Sequence, residues 1–400
     1  MRALTPFRLR GLELRNRVIK TATYEGMSPG GVPTPALTEH HAALARGGVG
    51  MTTLAYVAVS ARGRTFANQM AMSPELVAPL RALTDAVHRE GAAASIQLAH
   101  CGGFSKLKAQ RSFDPPGPLG PSRVLNRYGL MQGLVWVKAM PREVIAGLPE
   151  TFARAAGLAL DAGFDAIELH LGHGYLLSQF LSPRTNKRRD DYGGSLQNRL
   201  RLPVEVLRAV RAAVEARRPG TPIVCKTNLR DDLRGGLELD EAVEIARVLE
   251  REGADALVLS GGFVSHSAFY LLRGDRPLKD MIAVESDPKQ RLALRLLGPA
   301  VIEAHPFEEL FFLPLARQVR AAVDMPLCLL GGVVSGANME QAMAEGFELV
   351  AVGRALLENP NFVRDVAAGT VERSPCTHCN RCVAEMDRGG VRCVLHPPPS

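Results

Sequence analysis

Two histidines and a tyrosine stand close together in residues 167–199, after a short apolar run and before a predicted long polar loop. His170, His173 and Tyr175 lie within six residues of one another. Imidazole N–H groups can stabilise an oxyanion, and a phenol can donate a proton. Polar residues that merely end a strand are the alternative interpretation, but three such groups favour chemistry over packing. We therefore predict a catalytic centre here, with Tyr175 as its proton donor.

Four of the seven cysteines fall within the last 25 residues, in the pattern C-x₂-C-x₂-C-x₁₀-C. They are Cys376, Cys379, Cys382 and Cys393. Four thiolates at this spacing predict a [4Fe–4S] cluster or a Zn²⁺ site, and free thiols or a vestigial segment are the alternative. We treat residues 374–400, which end in three prolines, as a separate Cys-rich C-terminal segment. The remaining Cys101, Cys225 and Cys328 are expected to pack as small apolar groups.

The composition limits the class of protein. The 400 residues are 46% hydrophobic and 22% charged, as in globular proteins, and the net charge of +7 is spread along the sequence. Aromatic residues are only 5%, so we expect no nucleic-acid partner, whereas an anionic cofactor or substrate would suit the basic excess. With no apolar leader and no run of 18 apolar residues, we expect no membrane partner. The cysteine pattern favours a reduced, cytoplasmic location.

Strand-like and helical patterns alternate along residues 1–373. The predicted strands cover residues 17–23, 50–59, 93–98, 166–171, 223–227, 256–260, 327–331 and 349–353. The predicted helices cover residues 38–46, 74–90, 142–162, 196–216, 240–252, 308–323, 339–345 and 360–368. Eight such units with near-continuous apolar strands predict a (β/α)₈ TIM barrel, an α/β fold. A doubly wound open sheet is the rival, but no G-x-G-x-x-G motif opens an early helix.

In such a barrel the carboxyl ends of the strands share one face, where the catalytic groups collect. Gln97 and Lys226 close strands three and five, and together they could bind the polar edge of a flat heterocycle. A barrel-end ion pair is the alternative for Lys226. Gly331 and Gly332 follow strand seven, and Gly353 and Arg354 follow strand eight. Their free backbone N–H groups and the guanidinium predict a phosphate site.

Two loops are too long for ordinary connections and are expected to shape the pocket. The first covers residues 101–140, and the second is an insertion at residues 261–306 with its own helical pattern at 289–297. The insertion fits a lid, an oligomer contact or both, which leaves a homo-oligomer open.

The 167–199 stretch resembles the signature of the Old Yellow Enzyme family of FMN-dependent NAD(P)H oxidoreductases. The matching runs are H-L-G-H-G-Y-L-L-S-Q-F-L-S-P and N-K-R-R-D-D-Y-G-G-S-L-Q-N-R. Shorter matches extend the resemblance over most of the chain: N-R-V-I near the start, A-R-G-G-V-G at 45–50, Q-L-A-H at 97–100, and G-G and V-G-R near the end. The long runs are highly specific, and the short ones are not.

The resemblance implies a barrel that binds FMN on its carboxyl-terminal face and uses NAD(P)H as reductant by ping-pong kinetics. His170 and His173 would hydrogen-bond the carbonyl of a small enone-type substrate, and Tyr175 would protonate its α-carbon. The residues implied to contact FMN are Thr23, Tyr24, Gln97, Lys226, Gly331, Gly332, Gly353 and Arg354. Tyr24 departs from the family, since several members carry Cys or Thr there to tune the flavin.

The four-cysteine pattern resembles the cluster motif of the branch similar to 2,4-dienoyl-CoA reductase and trimethylamine dehydrogenase. That resemblance favours [4Fe–4S] over Zn²⁺. Two functional alternatives remain open beside reduction of an activated C=C bond. One is an amine dehydrogenase or demethylase-like flavoenzyme, and the other is a non-catalytic flavin or metal redox sensor.

Overall fold

The computed structural model describes residues 1–396, so the last four residues of the predicted Cys-rich segment lie outside the described residues. Within that range the chain forms the following strands: β1 (Phe7–Leu9), β2 (Leu12–Leu14), β3 (Val18–Lys20), β4 (Met51–Ala58), β5 (Ala93–Ala99), β6 (Leu119–Gly120), β7 (Val124–Leu125), β8 (Trp136–Ala139), β9 (Ala166–His170), β10 (Ile223–Asn228), β11 (Ala256–Ser260), β12 (Leu327–Leu330) and β13 (Leu349–Val352).

The helices follow the predicted alternation. They are α1 (Pro35–Arg46), α2 (Val77–Arg89), α3 (Arg142–Ala146), α4 (Leu148–Asp161), α5 (Leu176–Leu181), α6 (Leu196–Arg217), α7 (Leu239–Arg251), α8 (Leu278–Val284), α9 (Pro288–Val301), α10 (Leu313–Arg320), α11 (Gly336–Ala344), α12 (Arg354–Glu358), α13 (Phe362–Ala367) and α14 (Cys382–Glu385). The predicted helix 142–162 is two helices, because the chain turns at Gly147 between α3 and α4.

Eight parallel strands close into a barrel in the order β3, β4, β5, β9, β10, β11, β12, β13. The last strand pairs with the first, with Val350 opposite Val18 and Val352 opposite Lys20. The predicted (β/α)₈ barrel is therefore confirmed. The first strand is shorter than predicted, because the chain leaves the ladder after Lys20 to form the edge of a cavity.

Alternate strand residues divide the core into two layers. One set packs inside the barrel, while the other packs outward against the helices. Leu9 and Leu14 of the β1–β2 hairpin join the inner set and plug the amino-terminal end of the barrel. Cys328 packs in the inner layer and Cys225 in the outer one, as expected of small apolar groups. The open end is therefore the carboxyl-terminal one.

Three further segments differ from the prediction. Loop 101–140 contains a three-stranded sheet in the order β6, β8, β7. The insertion at 261–306 contains two helices, α8 and α9, rather than one. The stretch after Tyr175 was predicted as a polar loop and begins instead with α5, whose six residues are all buried. A helix buried on every side has no polar face, so its sequence shows no helical periodicity.

The C-terminal segment packs back onto the barrel as far as it is described. The Asn380 side chain donates hydrogen bonds to the carbonyl oxygens of Leu272 and Asp275. The Val391 N–H donates to the carbonyl oxygen of Glu25 at 2.6 Å. These contacts bring the segment over the open end of the barrel. No helix in the described part of the chain is long and apolar enough to cross a membrane.

Gly47 and Gly147, which each follow a helix, give a matched test of how tightly the backbone packs at Gly47. A Cβ at Gly47, after α1, would lie 1.8 Å from the Pro360 carbonyl oxygen, which is backbone and cannot move aside. We expect Gly47→Ala to lower the free energy of unfolding by about 3 kcal/mol, measured by urea denaturation. Gly147 has a similar backbone, with φ −83° against −75°, but its nearest atom is 3.7 Å away. Equal effects of Gly47→Ala and Gly147→Ala would contradict this packing.

Candidate active site

A cavity of about 1070 Å³ opens at the carboxyl-terminal end of the barrel. A volume of this size holds a cofactor and a small substrate together. Its lining includes all eleven residues that the sequence assigned to catalysis or cofactor binding: Thr23, Tyr24, Gln97, His170, His173, Tyr175, Lys226, Gly331, Gly332, Gly353 and Arg354. The barrel thus brings together residues that lie more than 300 positions apart in the sequence.

The floor of the cavity carries a buried ion pair. The Lys226 ammonium lies 3.2 Å from Glu168 Oε1, and the two side chains are 1% and 5% exposed. Lys226 also donates to Thr21 Oγ1 at 3.1 Å, and Gln97 Nε2 donates to Glu168 at 2.6 Å. Lys226 therefore forms a barrel-end ion pair and also lines the cavity. Sequence reasoning missed Glu168, although an acidic residue inside an apolar strand was a signal for a buried partner.

His170, His173 and Tyr175 form one cluster above this floor. The His170 ring centroid lies 4.9 Å from that of His173 and 4.5 Å from that of Tyr175. The Tyr175 ring packs in turn on Tyr56 at 4.9 Å. Both imidazoles and the phenol line the same cavity, so a single small molecule can contact all three.

The backbone at His173 explains how two residues three apart reach one cavity. Its φ is +60°, a left-handed conformation that non-glycine residues rarely adopt. The Asn228 side chain accepts the His173 N–H at 3.0 Å, and Val264 donates to the His173 carbonyl at 3.1 Å. At Gly174, where φ is +81°, a Cβ would lie 2.4 Å from the Phe263 ring. Strand β10 and the insertion therefore hold this turn in place.

Burial keeps both imidazoles neutral. It lowers the pKa of His173 to about 3, with a further contribution from the Lys226 charge. Burial, His173 and Lys226 also hold the pKa of His170 well below its ordinary value. His170 Nδ1 accepts the Gly172 N–H at 3.3 Å, so its own proton lies on Nε2. His173 Nε2 contacts Ser260 Oγ at 2.7 Å.

The Tyr175 phenol stays protonated, because burial raises its pKa well above the ordinary value. The site thus combines neutral N–H donors with an O–H group, which suits the binding and protonation of a carbonyl compound.

The opposite end of the cavity presents backbone N–H groups. Gly331 and Gly332 have φ of +100° and +73°, and a Cβ at Gly332 would lie 2.5 Å from the Glu308 carbonyl oxygen. These two positions therefore require glycine. Within residues 1–396, no protein acceptor meets the N–H of Gly332 or of Gly353. Such a pair of unmet donors suits an anion.

Arg354 connects this end to the insertion and to the tail. Its guanidinium donates to the carbonyl oxygens of Leu272 and Arg273 at 3.2 and 2.7 Å, and to Asn380 Oδ1 at 2.6 Å. Three protein oxygens therefore already share this cation at the cavity wall. The sequence placed Arg354 correctly at the end of strand eight, but it gave no sign of these partners.

Aromatic rings surround the mouth of the cavity, and most were missed by sequence reasoning. Tyr24 lies 4.9 Å from Phe66 and 5.8 Å from Tyr56, centroid to centroid. Burial raises the pKa of Tyr24 to about 12, so it remains a neutral phenol. Phe104 and Tyr128 complete the set at 4.4 Å from each other. Phe66, Phe104 and Tyr128 lie in irregular segments, where no periodicity marks a side chain as facing a site.

The cysteines of the tail are only partly buried and are free. In the part of the chain that the structure describes, no three His, Cys, Asp or Glu side chains come close enough together to hold a metal ion. The metal site at Cys376, Cys379, Cys382 and Cys393 stays a prediction.

Comparisons with known proteins find similarity over most of the chain. A model of the NADH:flavin oxidoreductase / NADH oxidase family matches residues 3–266. The 4,4'-dithiodibutanoate disulfide reductase of Rhodococcus erythropolis is 43% identical over 394 residues, covering 98% of this chain and 94% of that protein. The NADPH dehydrogenase of Listeria welshimeri is 29% identical over 367 residues, covering 90% and 93%.

Among solved structures, histamine dehydrogenase from Rhizobium sp. 4-9 superposes with a TM-score of 0.80 at 22% identity. The match covers 99% of this chain and 52% of that one. At this identity the similarity shows a shared fold, and this chain spans about half of the longer one.

The low pKa of His173 gives a testable pH dependence. An unfolded imidazole takes up a proton below about pH 6.5, whereas the folded one resists protonation down to about pH 3. The unfolded state therefore binds more protons in this window, and stability is lost as the pH falls through it. Between pH 8 and pH 5, we expect His173→Asn to lose about 2 kcal/mol less unfolding free energy than the wild type in urea titrations. Parallel pH profiles for the two proteins would contradict a buried neutral His173.

Proposed function

This chain belongs to the NADH:flavin oxidoreductase / NADH oxidase family and is an FMN-dependent NAD(P)H oxidoreductase, and we propose that it reduces activated C=C bonds of α,β-unsaturated carbonyl compounds. The observation that carries the proposal is the cluster of His170, His173 and Tyr175 in one cavity. Neutral N–H donors beside a protonated phenol suit a carbonyl oxygen that gains negative charge and a carbon that must gain a proton.

The cavity fits FMN by the chemistry of its two ends. The unmet N–H groups of Gly332 and Gly353 suit the phosphate, and Arg354 adds positive charge beside them. Gln97 and Lys226 offer polar contacts for the isoalloxazine edge from the floor, and Thr23 and Tyr24 border it. When bound, FMN would supply hydride transfer, taking hydride from NAD(P)H and passing it to the β-carbon of the unsaturated carbonyl compound.

The residues of the chain would act on the rest of the substrate. His170 donates from Nε2 to the carbonyl oxygen, and His173 donates from Nδ1 when Ser260 donates to its Nε2. Tyr175 gives its proton to the α-carbon. A raised pKa does not prevent this step, because the α-carbon of an enolate is far more basic than a phenolate. NAD(P)H and the substrate take turns in the one cavity, which gives ping-pong kinetics.

A second candidate is the reduction of a small disulfide. It is favoured by the 43% identity to the 4,4'-dithiodibutanoate disulfide reductase over 98% of this chain. In that reaction two electrons from NAD(P)H break the S–S bond, and the two sulfur atoms take up protons to leave as thiols. Tyr175 would give a proton to the sulfur that leaves, and the N–H groups of the histidines would stabilise its thiolate charge by hydrogen bonds.

Two measurements separate these candidates. A flavin band near 450 nm in the purified protein tests the shared premise of bound FMN. Turnover of 2-cyclohexenone and of 4,4'-dithiodibutanoate, each with NADH and NADPH, then ranks the two reactions. A colourless protein that takes up no FMN would remove both.

The role of Tyr175 can be tested by half-reaction. We expect Tyr175→Phe to slow the reoxidation of the reduced enzyme by 2-cyclohexenone about a hundredfold, because the α-carbon loses its proton donor. Reduction of the enzyme by NAD(P)H should stay within about twofold, as followed by stopped-flow absorbance. The matched control is Tyr192→Phe, which removes a phenol bonded to Glu205 outside the cavity. An equal loss in both half-reactions would contradict the proton-donor role.

We further propose that residues 1–373 form the catalytic barrel and that residues 374–400 form a Cys-rich segment that binds [4Fe–4S] or, alternatively, Zn²⁺. The support is the spacing of the four cysteines and the packing of the segment against the barrel. The free cysteines of the described chain also support a cytoplasmic location.

Metal content tests the Cys₄ proposal. We expect stoichiometric Fe or Zn in the wild type by elemental analysis, and its loss in Cys376→Ser/Cys379→Ser, because two of four thiolates are gone. Cys225→Ser is the matched control, since that thiol is buried among apolar residues and should leave the metal content unchanged. A wild-type protein purified without metal would rule the proposal out.

A further inference from the structure

Resting on the proposed function, we infer that Lys106 is a specificity residue that binds a carboxylate group of the substrate. The preferred substrates would then be anionic, with the reducible bond at Tyr175 and a carboxylate at the mouth of the cavity.

Lys106 is a cation with no salt-bridge partner among the described residues, and it lies against the neutral rings of an aromatic wall. It lines the cavity and is half-buried, and its ammonium lies 5.2 Å from the ring centroid of Tyr128 and 5.8 Å from that of Phe66. Within the described residues, no Asp or Glu oxygen comes within 4.0 Å of this ammonium. Ring faces attract a cation but do not neutralise it. The Lys106 ammonium is therefore placed to bind an anionic group of a ligand.

The same rings connect Lys106 to the reacting end of the cavity. Tyr128 packs on Phe104 at 4.4 Å, and Phe104 packs on Tyr175 at 5.5 Å. A substrate lying along this wall would touch Tyr175 at one end and Lys106 at the other. The apolar wall between them suits a hydrocarbon or aromatic spacer.

One phenol and two carboxyl groups on other elements act on Lys106 without forming a salt bridge with it. Burial by itself would lower its pKa, but Tyr128, Asp387 and Glu285 raise it, so the ammonium keeps its charge. Asp387 also lines the cavity, from the C-terminal segment, and burial raises the pKa of this carboxyl. Among the described residues, no positively charged side chain is a main influence on the pKa of Lys106. A single cation suits a singly charged carboxylate better than a phosphate dianion.

The test uses a matched pair of ligands on the FMN-bound enzyme: 3-(4-hydroxyphenyl)propionate and its methyl ester. The two share a phenol for the His170–His173 end and differ at the other end, where the ester carries a methyl group in place of the negative charge. Binding is followed by the change in flavin absorbance. We expect the wild type to bind the acid about tenfold more tightly than the ester, because a charge-assisted contact forms in a partly dry site.

Variants assign that preference to one residue. Lys106→Met should remove the preference for the acid and leave ester binding within about twofold, while Lys106→Arg should retain most of it. Asp387→Asn should strengthen binding of the acid, because a nearby negative charge is gone. Lys108→Met is the matched control, since Lys108 is exposed and lies outside the cavity lining. Equal binding of acid and ester by the wild type, or a preference that survives in Lys106→Met, overturns the inference.

The same experiment distinguishes this inference from the proposed function, because the ligands bind without being reduced. If the enzyme prefers the acid in a Lys106-dependent way but does not reduce enones, the proposed reaction is wrong and the carboxylate site is supported. Efficient reduction of an enone, with no acid preference, would sink the carboxylate site alone.

Discussion

The buried ion pair of Lys226 and Glu168 is the constraint on which the rest of the site depends. Removing two charges from water is costly, and the cost is offset only when each charge meets partners at close range. Glu168 accepts from Lys226 and from Gln97, and Lys226 also reaches Thr21. The pair therefore ties strands β5, β9 and β10 to the chain that leaves β3. It fixes a polar floor at the end of the barrel that the β1–β2 hairpin leaves open.

Above that floor the lining of the cavity becomes less polar from the base to the mouth. Desolvation combined with the Lys226 charge keeps His170 and His173 neutral, so the middle of the site offers N–H donors without net charge. Around the mouth, aromatic rings replace polar groups, and Lys106 is the cation that lies among these rings. A molecule that fills this cavity would meet hydrogen bonds at its base and apolar surface along its length, which favours one orientation over its reverse.

The sequence predicted the barrel well because each strand is a compact apolar run, and a strand end is a defined place on one face of the barrel. That is why the positions of Gln97, Lys226, Gly332 and Arg354 could be read from the order of the strands alone. The β1–β2 hairpin was missed because three-residue strands are too short for periodicity to register. Glu168 inside an apolar strand signalled a buried partner, but the sequence could not show which one, because Glu168 and Asn380 meet Lys226 and Arg354 only in the closed fold. The aromatic mouth was missed for a similar reason, since Phe66 and Tyr128 come from segments with no regular structure.

The closure of the barrel has a consequence for how the site comes into being during synthesis. β3 near residue 18 pairs with β13 near residue 350, and tail residues between His378 and Gly389 complete the cavity wall. Almost the whole chain must therefore leave the ribosome before its first strand finds its second neighbour. Until then β3 keeps one edge unpaired, and an unpaired strand edge is open to wrong pairing. A cofactor bound as proposed would stabilise the native fold only after that late step, because Gly332 and Gly353, the residues proposed to hold its phosphate, come late in the sequence.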